Sequence, residues 1–452
     1  MPQSTKGLMT TGPIWKRMIA FAIPIFIGNL FQQLYNTVDS LIVGNFSGKE
    51  ALAAVSSSGN LIFLMTGFFS GIAMGAGVVI ARYYGAGDRD RVDRAIHTNI
   101  AFGFLAGLIL TVVGVFLTPH ILRWIGTPDN VLPQSITYFR TYFFGVLASI
   151  LYNNGVGILQ AMGDSRTPLY YLILSSTTNV ILDLLFVAGF GWGVWSAAFA
   201  TVISQALSAV LCLWRLVKKC EIPLVWRKVR LDMPLFREIL RMGIPSGMQN
   251  SIIAFANTIV QSNINFFGDS AMAGCGAHAK IEGFGFLPVT CFTMALTTFI
   301  SQNLGAKLYD RAKKSAVFGV ICCLALSESI GALIWIFSPK LIALFNGDPE
   351  VIAFGMGYGR TVALFYFLMA FSHCGAAILR GAGKSTIPML ITLACWCLIR
   401  ITYITITIRF IPQIEVVYWA YPFTWTLSSL CFVVYLWKAD WLHAYDTLEE
   451  SK

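Results

Sequence analysis

The chain has 452 residues, of which 56% are hydrophobic and only 12% are charged. Soluble domains carry about 25% charged residues, so this composition excludes a soluble protein and indicates a polytopic membrane protein. The net charge of +10 comes from basic residues concentrated in alternate loops, so it reflects membrane topology and predicts no nucleic-acid partner. The ten cysteines lie almost entirely in apolar runs without paired metal-ligand spacing, and are interpreted as small buried residues.

Hydrophobic runs of about 20 residues, the length that crosses a bilayer as a helix, recur along the whole chain. They predict an all-α integral membrane protein with about twelve transmembrane helices. The predicted spans are 14–44, 51–84, 95–117, 131–159, 168–190, 194–216, 235–267, 271–304, 316–337, 351–379, 387–410 and 417–438.

Basic residues mark every second loop, with the largest group between Arg215 and Arg241. Because cytoplasmic loops are enriched in Lys and Arg, this pattern predicts a multi-pass protein of the cell membrane with both termini in the cytoplasm. The first apolar segment lacks a convincing cleavage site and is expected to remain as the first span. The predicted domains are an N-terminal six-helix bundle, a cytoplasmic basic linker and a C-terminal six-helix bundle with a short cytoplasmic tail, over 1–217, 218–234 and 235–452.

The two sets of six spans resemble each other as an internal repeat. Ile158–Pro168 reads Ile-Leu-Gln-Ala-Met-Gly-Asp-Ser-Arg-Thr-Pro, and Ile378–Pro388 reads Ile-Leu-Arg-Gly-Ala-Gly-Lys-Ser-Thr-Ile-Pro, 220 residues later. The same offset relates Tyr138 to Tyr358. Since each copy has six spans, the copies have the same orientation, which predicts two bundles related by an axis along the membrane normal. A substrate path is expected between them.

The first span carries a polar stripe. Gln32, Asn36 and Asp39 follow the i, i+4, i+7 spacing of one helix face, with Tyr35 beside them. A charge near the bilayer centre costs at least about 2.5–3.5 kcal/mol, so such acids usually face a partner or a water-filled cavity. Pro24 removes a backbone donor upstream and is predicted to be a hinge. We interpret Asp39 as proton- or cation-sensing and the other three polar residues as cavity-lining; the alternative is a structural acid paired with a buried Lys, Arg or amide.

The fifth span adds Asn179 and Asp183, four residues apart on one helix face, and the sixth adds Thr201. No Lys or Arg stands in the middle of spans one, two, three, five or six, so ion pairing within this half is not expected. With Asp39, these residues would form an all-oxygen cluster suited to a hard cation such as Na+ or to a shared proton. They predict a coupling site for H+ or Na+.

The second copy lacks this cluster. The 220-residue offset maps Asp39 to Ile259 and Asp183 to Tyr403, neither of which can hold a cation as a carboxylate does. The acid cluster is therefore expected in the first half only.

Other polar residues of the second copy are predicted to line the substrate cavity, namely Asn257, Gln261 and Glu282. Glu282 has Lys280 two residues away and no matching second acid, so we expect it to attract cationic substrates rather than to share a proton. A Lys280–Glu282 interaction or an interfacial position is the alternative. Arg400 in the eleventh span is expected to be paired or to reach the membrane interface.

Five features carry a further signal: Asn36-Thr-Val-Asp39, Ala81-Arg-Tyr-Tyr-Gly-Ala-Gly87, the repeated loops that end at Pro168 and Pro388, Ile281-Glu-Gly-Phe-Gly-Phe-Leu-Pro288, and Ser301-Gln-Asn-Leu-Gly-Ala306. Over about 18–437 the chain resembles the multidrug and toxic compound extrusion (MATE) family. The resemblance implies two six-helix bundles in a V around a central cavity, and export of diverse, often cationic organic compounds against inward flow of Na+ or H+. It also places the family's cation-binding residues on Asp39, Asn179, Asp183 and Thr201, whereas the acidic site that some members carry in the carboxy-terminal bundle is absent from the seventh helix.

We therefore predict a secondary active antiporter that exports amphipathic, often cationic organic compounds in exchange for H+ or Na+ by alternating access. It is expected to need no cofactor, to work as a monomer, and to have a small organic substrate and the lipid bilayer as its partners. A lipid-linked saccharide flippase of the same superfamily is the alternative, although it should prefer a basic cavity for pyrophosphate. A membrane-embedded enzyme would need a His-acid or metal constellation, which the scattered residues His97, His120, His278, His373 and His443 do not provide.

Overall fold

The computed structural model describes residues 9–46, 49–124 and 127–446, and for 49–54 and 56–66 it describes the backbone alone. The described part is helical and contains no strand. Its helices are α1 Ile14–Phe46, α2 Lys49–Gly85, α3 Arg89–Trp124, α4 Leu132–Phe144, α5 Val146–Ala161, α6 Arg166–Asp183, α7 Val194–Lys218, α8 Met233–Asn265, α9 Asp269–Gly285, α10 Leu287–Gly305, α11 Tyr309–Ala343, α12 Pro349–Ala363, α13 Tyr366–Gly381, α14 Thr386–Thr392, α15 Arg400–Phe410 and α16 Glu415–Lys438. A π-helical segment, Leu184–Gly189, continues α6, a second, Leu393–Ile399, joins α14 to α15, and a 3-10 turn, Trp226–Lys228, lies between α7 and α8.

Every predicted span corresponds to helix in the described chain. Six helical segments have the length and hydropathy of a membrane span, and three more spans are pairs of shorter helices that together meet the same test. The remaining helices α2, α8 and α16, of 37, 33 and 24 residues, bring the number of segments to twelve. This agrees with the number predicted from the hydrophobic runs.

Three spans bend where the hydrophobic runs predict one continuous helix. α4 and α5 meet at 46° around Gly145, and α12 and α13 meet at 57° around Leu364 and Phe365. Phe365 stands 220 residues after Gly145, so these two bends occupy one position of the internal repeat. The third bend, of 42°, lies between α9 and α10 just before Pro288, which has no N–H to continue the helical hydrogen bonds.

α2 and the first part of α8 approach each other at backbone contact. A Cβ added to Gly75 would lie 2.3 Å from the backbone nitrogen of Gly243, and one added to Gly71 would lie 2.3 Å from the backbone of Gly247. Small residues permit such an approach between helices in lipid, where no hydrophobic force drives them together. The glycines at four-residue spacing therefore set helix packing here.

The chain divides into two compact units. The first unit is Ile23–Gly247, and the second unit combines Met9–Ala22 with the chain from Met248 onward. The boundaries fall inside α1 and α8, beside Pro24 and Pro245. Each of these two long helices therefore begins in one unit and ends in the other.

The segment between α7 and α8 is held on the first unit by polar contacts. Lys228 Nζ lies 3.1 Å from Asp93 Oδ2, and the backbone N–H of Val225 donates to His97 Nε2 at 2.9 Å. These bonds place the basic connection against the beginning of α3.

Candidate functional site

Two carboxyl groups meet in the first unit, Asp39 from α1 and Asp183 from α6. Asp183 is fully buried and Asp39 is partly buried. The two carboxyl groups lie within hydrogen-bonding reach of each other. If both were ionised they would repel, because neither would have a proton to donate. The pair therefore needs a shared proton or a bound cation.

Oxygen atoms around this pair lack donors from the protein. Asp39 Oδ1, both carboxyl oxygens of Asp183 and Asn179 Oδ1 are buried, and none receives a hydrogen bond from the described residues. The ion pairs within the described ranges involve other acids, so no Lys or Arg neutralises either carboxylate there. Buried polar atoms in proteins are normally satisfied. These oxygens therefore mark a place that suits a proton or a cation.

Asn179 and Thr201 lie together beside the acids. Asn179 Nδ2 donates to Thr201 Oγ1 at 3.4 Å, and Thr201 Oγ1 donates to the Ala197 carbonyl at 3.1 Å. No cluster of three or more His, Cys, Asp or Glu side chains suited to a metal occurs in the part of the chain that the structure describes. The structure thus pairs Asp39 with Asp183, and Asn179, one turn before Asp183 on α6, with Thr201. That these four oxygen-bearing residues form one site for a hard cation or a proton stays a prediction.

Both units have a charged residue where a regular helix meets a π-helical segment. Asp183 is the last residue of α6 before Leu184–Gly189, and Arg400 is the first residue after Leu393–Ile399. π-helical turns are rare and occur frequently at functional sites. The helical pitch therefore changes beside a buried charged residue in each unit.

Tyr138 of α4 is a functional candidate that sequence reasoning missed. It is buried, and it lies close enough to Asp39, Asp183 and Tyr35 to interact electrostatically with each of them. Sequence alone shows Tyr138 only as a marker of the repeat, because a tyrosine in an apolar span is usually a packing residue. Its copy Tyr358 was the available signal, since the same aromatic hydroxyl stands at both repeat positions.

The other predicted residues of the first unit lie along α1. Gln32 and Gln205 are polar neighbours of the Tyr35 hydroxyl. Gln32 and Asn36 are exposed within the described chain, and Pro24 is buried inside the helix. Exposed amides suit a cavity lining, and this role stays a prediction, as does the hinge at Pro24.

Two of the predicted cavity residues of the second unit lie on α8. Asn257 is exposed, whereas Gln261 is partly buried and its Nε2 donates to Asn265 Oδ1 at 3.0 Å. Their contact with a substrate stays a prediction.

Glu282 has a different environment from the one expected. Tyr366 and Arg400 are the groups that act on it electrostatically, and the Tyr366 hydroxyl lies 3.4 Å from His278 Nε2. Lys280 is exposed, and its Nζ lies 5.8 Å from the ring centre of Phe345. No ion pair joins Lys280 to Glu282 among the described residues. The positive charge near Glu282 therefore comes from another helix rather than from its own.

Arg400 is buried rather than directed to the membrane interface. It is 2% exposed, and its Nε and Nη2 donate to Thr424 Oγ1 at 3.1 and 2.9 Å. The guanidinium carbon lies 4.4 Å from the ring centre of Tyr421. The expectation that Arg400 reaches the interface is wrong, because a hydroxyl and an aromatic ring stabilise its charge inside the unit.

The fold and the site define the class of this protein as a polytopic membrane transporter, since buried acids inside membrane helices mark ion and substrate pathways. The family model described as MatE matches residues 24–185 and again residues 245–406. The chain belongs to this family, the MATE family of multidrug efflux transporters. The two matches begin 221 residues apart, which confirms the internal repeat predicted from the loop sequences.

Relatives and solved structures agree with this assignment. The chain is 30% identical over 393 residues to the probable multidrug resistance protein YoeA of Bacillus subtilis (strain 168), covering 85% of each protein. It is 28% identical over 400 residues to the probable multidrug resistance protein YpnP of the same organism, covering 86% of this chain and 88% of the relative.

A crystal structure of a MATE protein in the bent conformation superposes with a TM-score of 0.90 at 22% identity, over 99% of each chain. This likeness confirms the predicted fold class, an all-α membrane protein with a repeated bundle. The relatives are transporters rather than enzymes, as expected for this chain.

Proposed function

We propose that the chain is a secondary active antiporter that exports amphipathic, often cationic organic compounds in exchange for H+ or Na+ by alternating access. The observation that supports this most strongly is the Asp39–Asp183 pair, whose buried oxygens have no protein donor among the described residues. A site of this kind takes up and releases a proton or a cation during each transport cycle.

Coupling requires the ion and the organic compound to favour different states of the protein. With a proton or Na+ bound, the repulsion between Asp39 and Asp183 is relieved, and after its release the two carboxylates repel in a medium of low dielectric constant. A compound that favours the ion-free state lowers the affinity of the protein for the ion. By linkage, the ion lowers the affinity for the compound by the same factor. Coupling free energies of about 1–3 kcal/mol correspond to about 5- to 150-fold changes in affinity.

We assign the movement to α1 and α8, because each begins in one compact unit and ends in the other. Proline removes one main-chain hydrogen bond, and in membrane proteins the freed groups are satisfied by neighbouring helices or by local adjustments. Pro24 would thus be the hinge that couples ion occupancy at Asp39 to a bend in the first part of α1. Pro245 has the corresponding place on α8.

The organic compound is assigned to amides, a phenol and one acid of the two units: Gln32, Tyr35, Asn36, Asn257, Gln261 and Glu282. These groups offer hydrogen bonds and one negative charge, which suits amphipathic cations. The proposed transporter is a monomer in the cell membrane with cytoplasmic termini, built from bundles at 1–217 and 235–452 and a cytoplasmic linker at 218–234. The basic residues in alternate loops support this orientation.

Proteoliposomes test the exchange. Vesicles that contain the purified protein take up or release a fluorescent cationic compound while a proton gradient and a sodium gradient are imposed in separate experiments, and the gradient that drives transport identifies the coupling ion. Asp39→Asn keeps the shape of the side chain and removes its charge, so driven transport should fall to the level of protein-free vesicles. Asp440→Asn changes an exposed acid and is the matched control, with transport as in wild type. Wild-type transport that responds to neither gradient would contradict the proposal.

A further inference from the structure

Arg380, near the end of α13, is a cation with unused hydrogen-bond donors. It is partly buried, and its Nη1 donates to Gln249 Oε1 at 3.0 Å. Its Nε is buried without an acceptor, and no carboxylate lies within 4.0 Å among the described residues. The Arg380 guanidinium therefore has a donor, Nε, for which the described residues supply no anionic acceptor.

The neighbours of Arg380 hold it in position. Gln249 is 7% exposed, and its Nε2 donates to Thr392 Oγ1 at 2.9 Å. This bond fixes which end of the amide faces Arg380, because the oxygen is then the atom that remains for the guanidinium. Three helices of the second unit, α8, α13 and α14, therefore orient one side of the guanidinium, while its Nε has no acceptor among the described residues.

The internal repeat shows that the fold does not require a cation at this position. The 220-residue offset places Gln160 at the position of Arg380, within the matching sequences Ile-Leu-Gln-Ala and Ile-Leu-Arg-Gly. Gln160 is also partly buried. A neutral side chain thus serves the same place in the first copy, so the charge of Arg380 belongs to the chemistry of the second unit rather than to helix packing.

Arg400 does not provide a second site of this type. It is 2% exposed, and its Nε and Nη2 already donate to Thr424. A ligand group could reach it only after the surrounding side chains move apart. Arg380 is the less buried residue of the two.

We propose that Arg380, oriented by Gln249, binds an anionic group, a carboxylate or a phosphate, of the transported compound. This inference rests on the proposed transport function and adds to it a preference, among the transported amphiphiles, for those that carry a negative group, zwitterions included. A planar guanidinium with several free N–H donors matches the oxygen geometry of both groups, and bonds between charged partners are stronger than neutral ones.

A matched pair of dyes tests this assignment. Tetramethylrhodamine is a zwitterion with a free carboxylate, and its methyl ester is a cation of nearly the same shape. Fluorescence anisotropy with the full chain in phosphatidylcholine nanodiscs gives the dissociation constant of each dye. Wild type should bind the acid more tightly than the ester. Arg380→Gln, which installs the residue of the first copy, should weaken binding of the acid about tenfold and that of the ester by about twofold or less.

Two further variants separate a specific contact from a general effect of charge. Lys384→Gln removes one positive charge four positions away, from a partly buried residue whose Nζ donates to the Asp440 carbonyl, and should leave both dissociation constants within about twofold of wild type. Arg380→Lys keeps the charge but not the planar fork and should recover part of the preference for the acid. Equal weakening of both dyes in Arg380→Gln, or a wild type that shows no preference for the acid, including one that binds neither dye, would overturn the proposal.

An anionic lipid headgroup carries the same chemistry as a transported anion, so lipid composition distinguishes the two sources. If Arg380 holds a headgroup, adding phosphatidylglycerol to the nanodiscs should raise the thermal midpoint of wild type more than that of Arg380→Gln. The two dyes should then bind with equal affinity. That result would overturn the proposal. Failure of the transport function is seen separately, in proteoliposomes with the methyl ester. If a gradient drives movement of the ester but the acid is not preferred in binding, only the proposed anion site is contradicted. If the acid is preferred in binding but no gradient drives transport, the proposed antiport is contradicted.

Discussion

The two units repeat one fold but differ in the sign of the buried charges that have no ionic partner among the described residues. In the first unit, Asp39 and Asp183 have no cationic partner among the described residues, and in the second, Arg380 and Arg400 have no carboxylate within 4.0 Å in the described ranges. The six spans and the bend of the fourth span recur in both copies. Since the fold persists while the charges change sign, the charges are not needed for folding as such. This difference points to a division of labour, with ion coupling in the first unit and recognition of the organic compound in the second.

Loss of either acid of the first unit should have the largest effect. Asp39→Asn and Asp183→Asn should each lower gradient-driven transport about 100-fold, within the range of coupling free energies seen in other proteins. Because both acids serve one site, the double variant should be no worse than either single variant. Initial rates in proteoliposomes with equal amounts of protein measure this. Losses that multiply in the double variant would assign the acids to separate sites.

Arg400 should matter for stability and not for ion dependence. Arg400→Gln removes a buried charge that is bonded to Thr424 and acts on Glu282, so it should lower the thermal midpoint in detergent by about 5 °C or more. Arg409→Gln, at the exposed end of the same helix, is the control and should shift the midpoint by about 1 °C or less. If Arg400→Gln had a wild-type thermal midpoint but its transport no longer depended on the ion gradient, ion coupling would be assigned to the second unit.

Glu282 offers a more selective test of the comparison. Glu282→Gln should reduce transport of a cationic compound about fivefold, because it removes the negative charge, and should leave a neutral compound and the gradient dependence unchanged. Glu415→Gln, an exposed acid in the first turn of α16, should affect neither compound. Equal loss of both compounds together with the gradient dependence would show that Glu282 takes part in coupling.

The smallest effect is expected from the repeated tyrosines. Tyr138→Phe removes a hydroxyl close to Asp39 and Asp183, and should lower gradient-driven transport about threefold. Tyr358→Phe makes the same change at the matching position of the second copy and should not alter the response to the gradient. Paired transport assays under one imposed gradient compare the two. An equal loss of gradient response in both variants would contradict the proposed difference between the two units.

Much of this organisation is predictable from the sequence. Hydrophobic runs and the repeated loops give the twelve spans and the two copies, and the i, i+4 spacing of Asn179 and Asp183 places them on one face. The bend around Leu364 and Phe365 could not be predicted, because neither residue breaks a helix, although the matching bend in the first copy lies at Gly145.

Contacts between distant helices are the part that sequence spacing does not supply. Glu282 and Arg400 are far apart in the chain, so a local partner such as Lys280 was the natural expectation, and only the tertiary fold of the second unit brings Arg400 near enough to act on the acid. For the same reason the place of Tyr138 beside Asp39 depends on the packing of α4 against its neighbours rather than on any pattern within α4.

The most direct test of the division of labour is to let the organic compound drive the ion. Proteoliposomes receive a gradient of a cationic dye and no ion gradient, and the opposing movement of H+ and of Na+ is recorded with a pH-sensitive and a sodium-sensitive fluorophore. Wild type should move one of these ions against the dye, Glu282→Gln should move the same ion in the same ratio per dye molecule, and Asp39→Asn should move none. Ion movement by Asp39→Asn at the wild-type ratio would contradict the account.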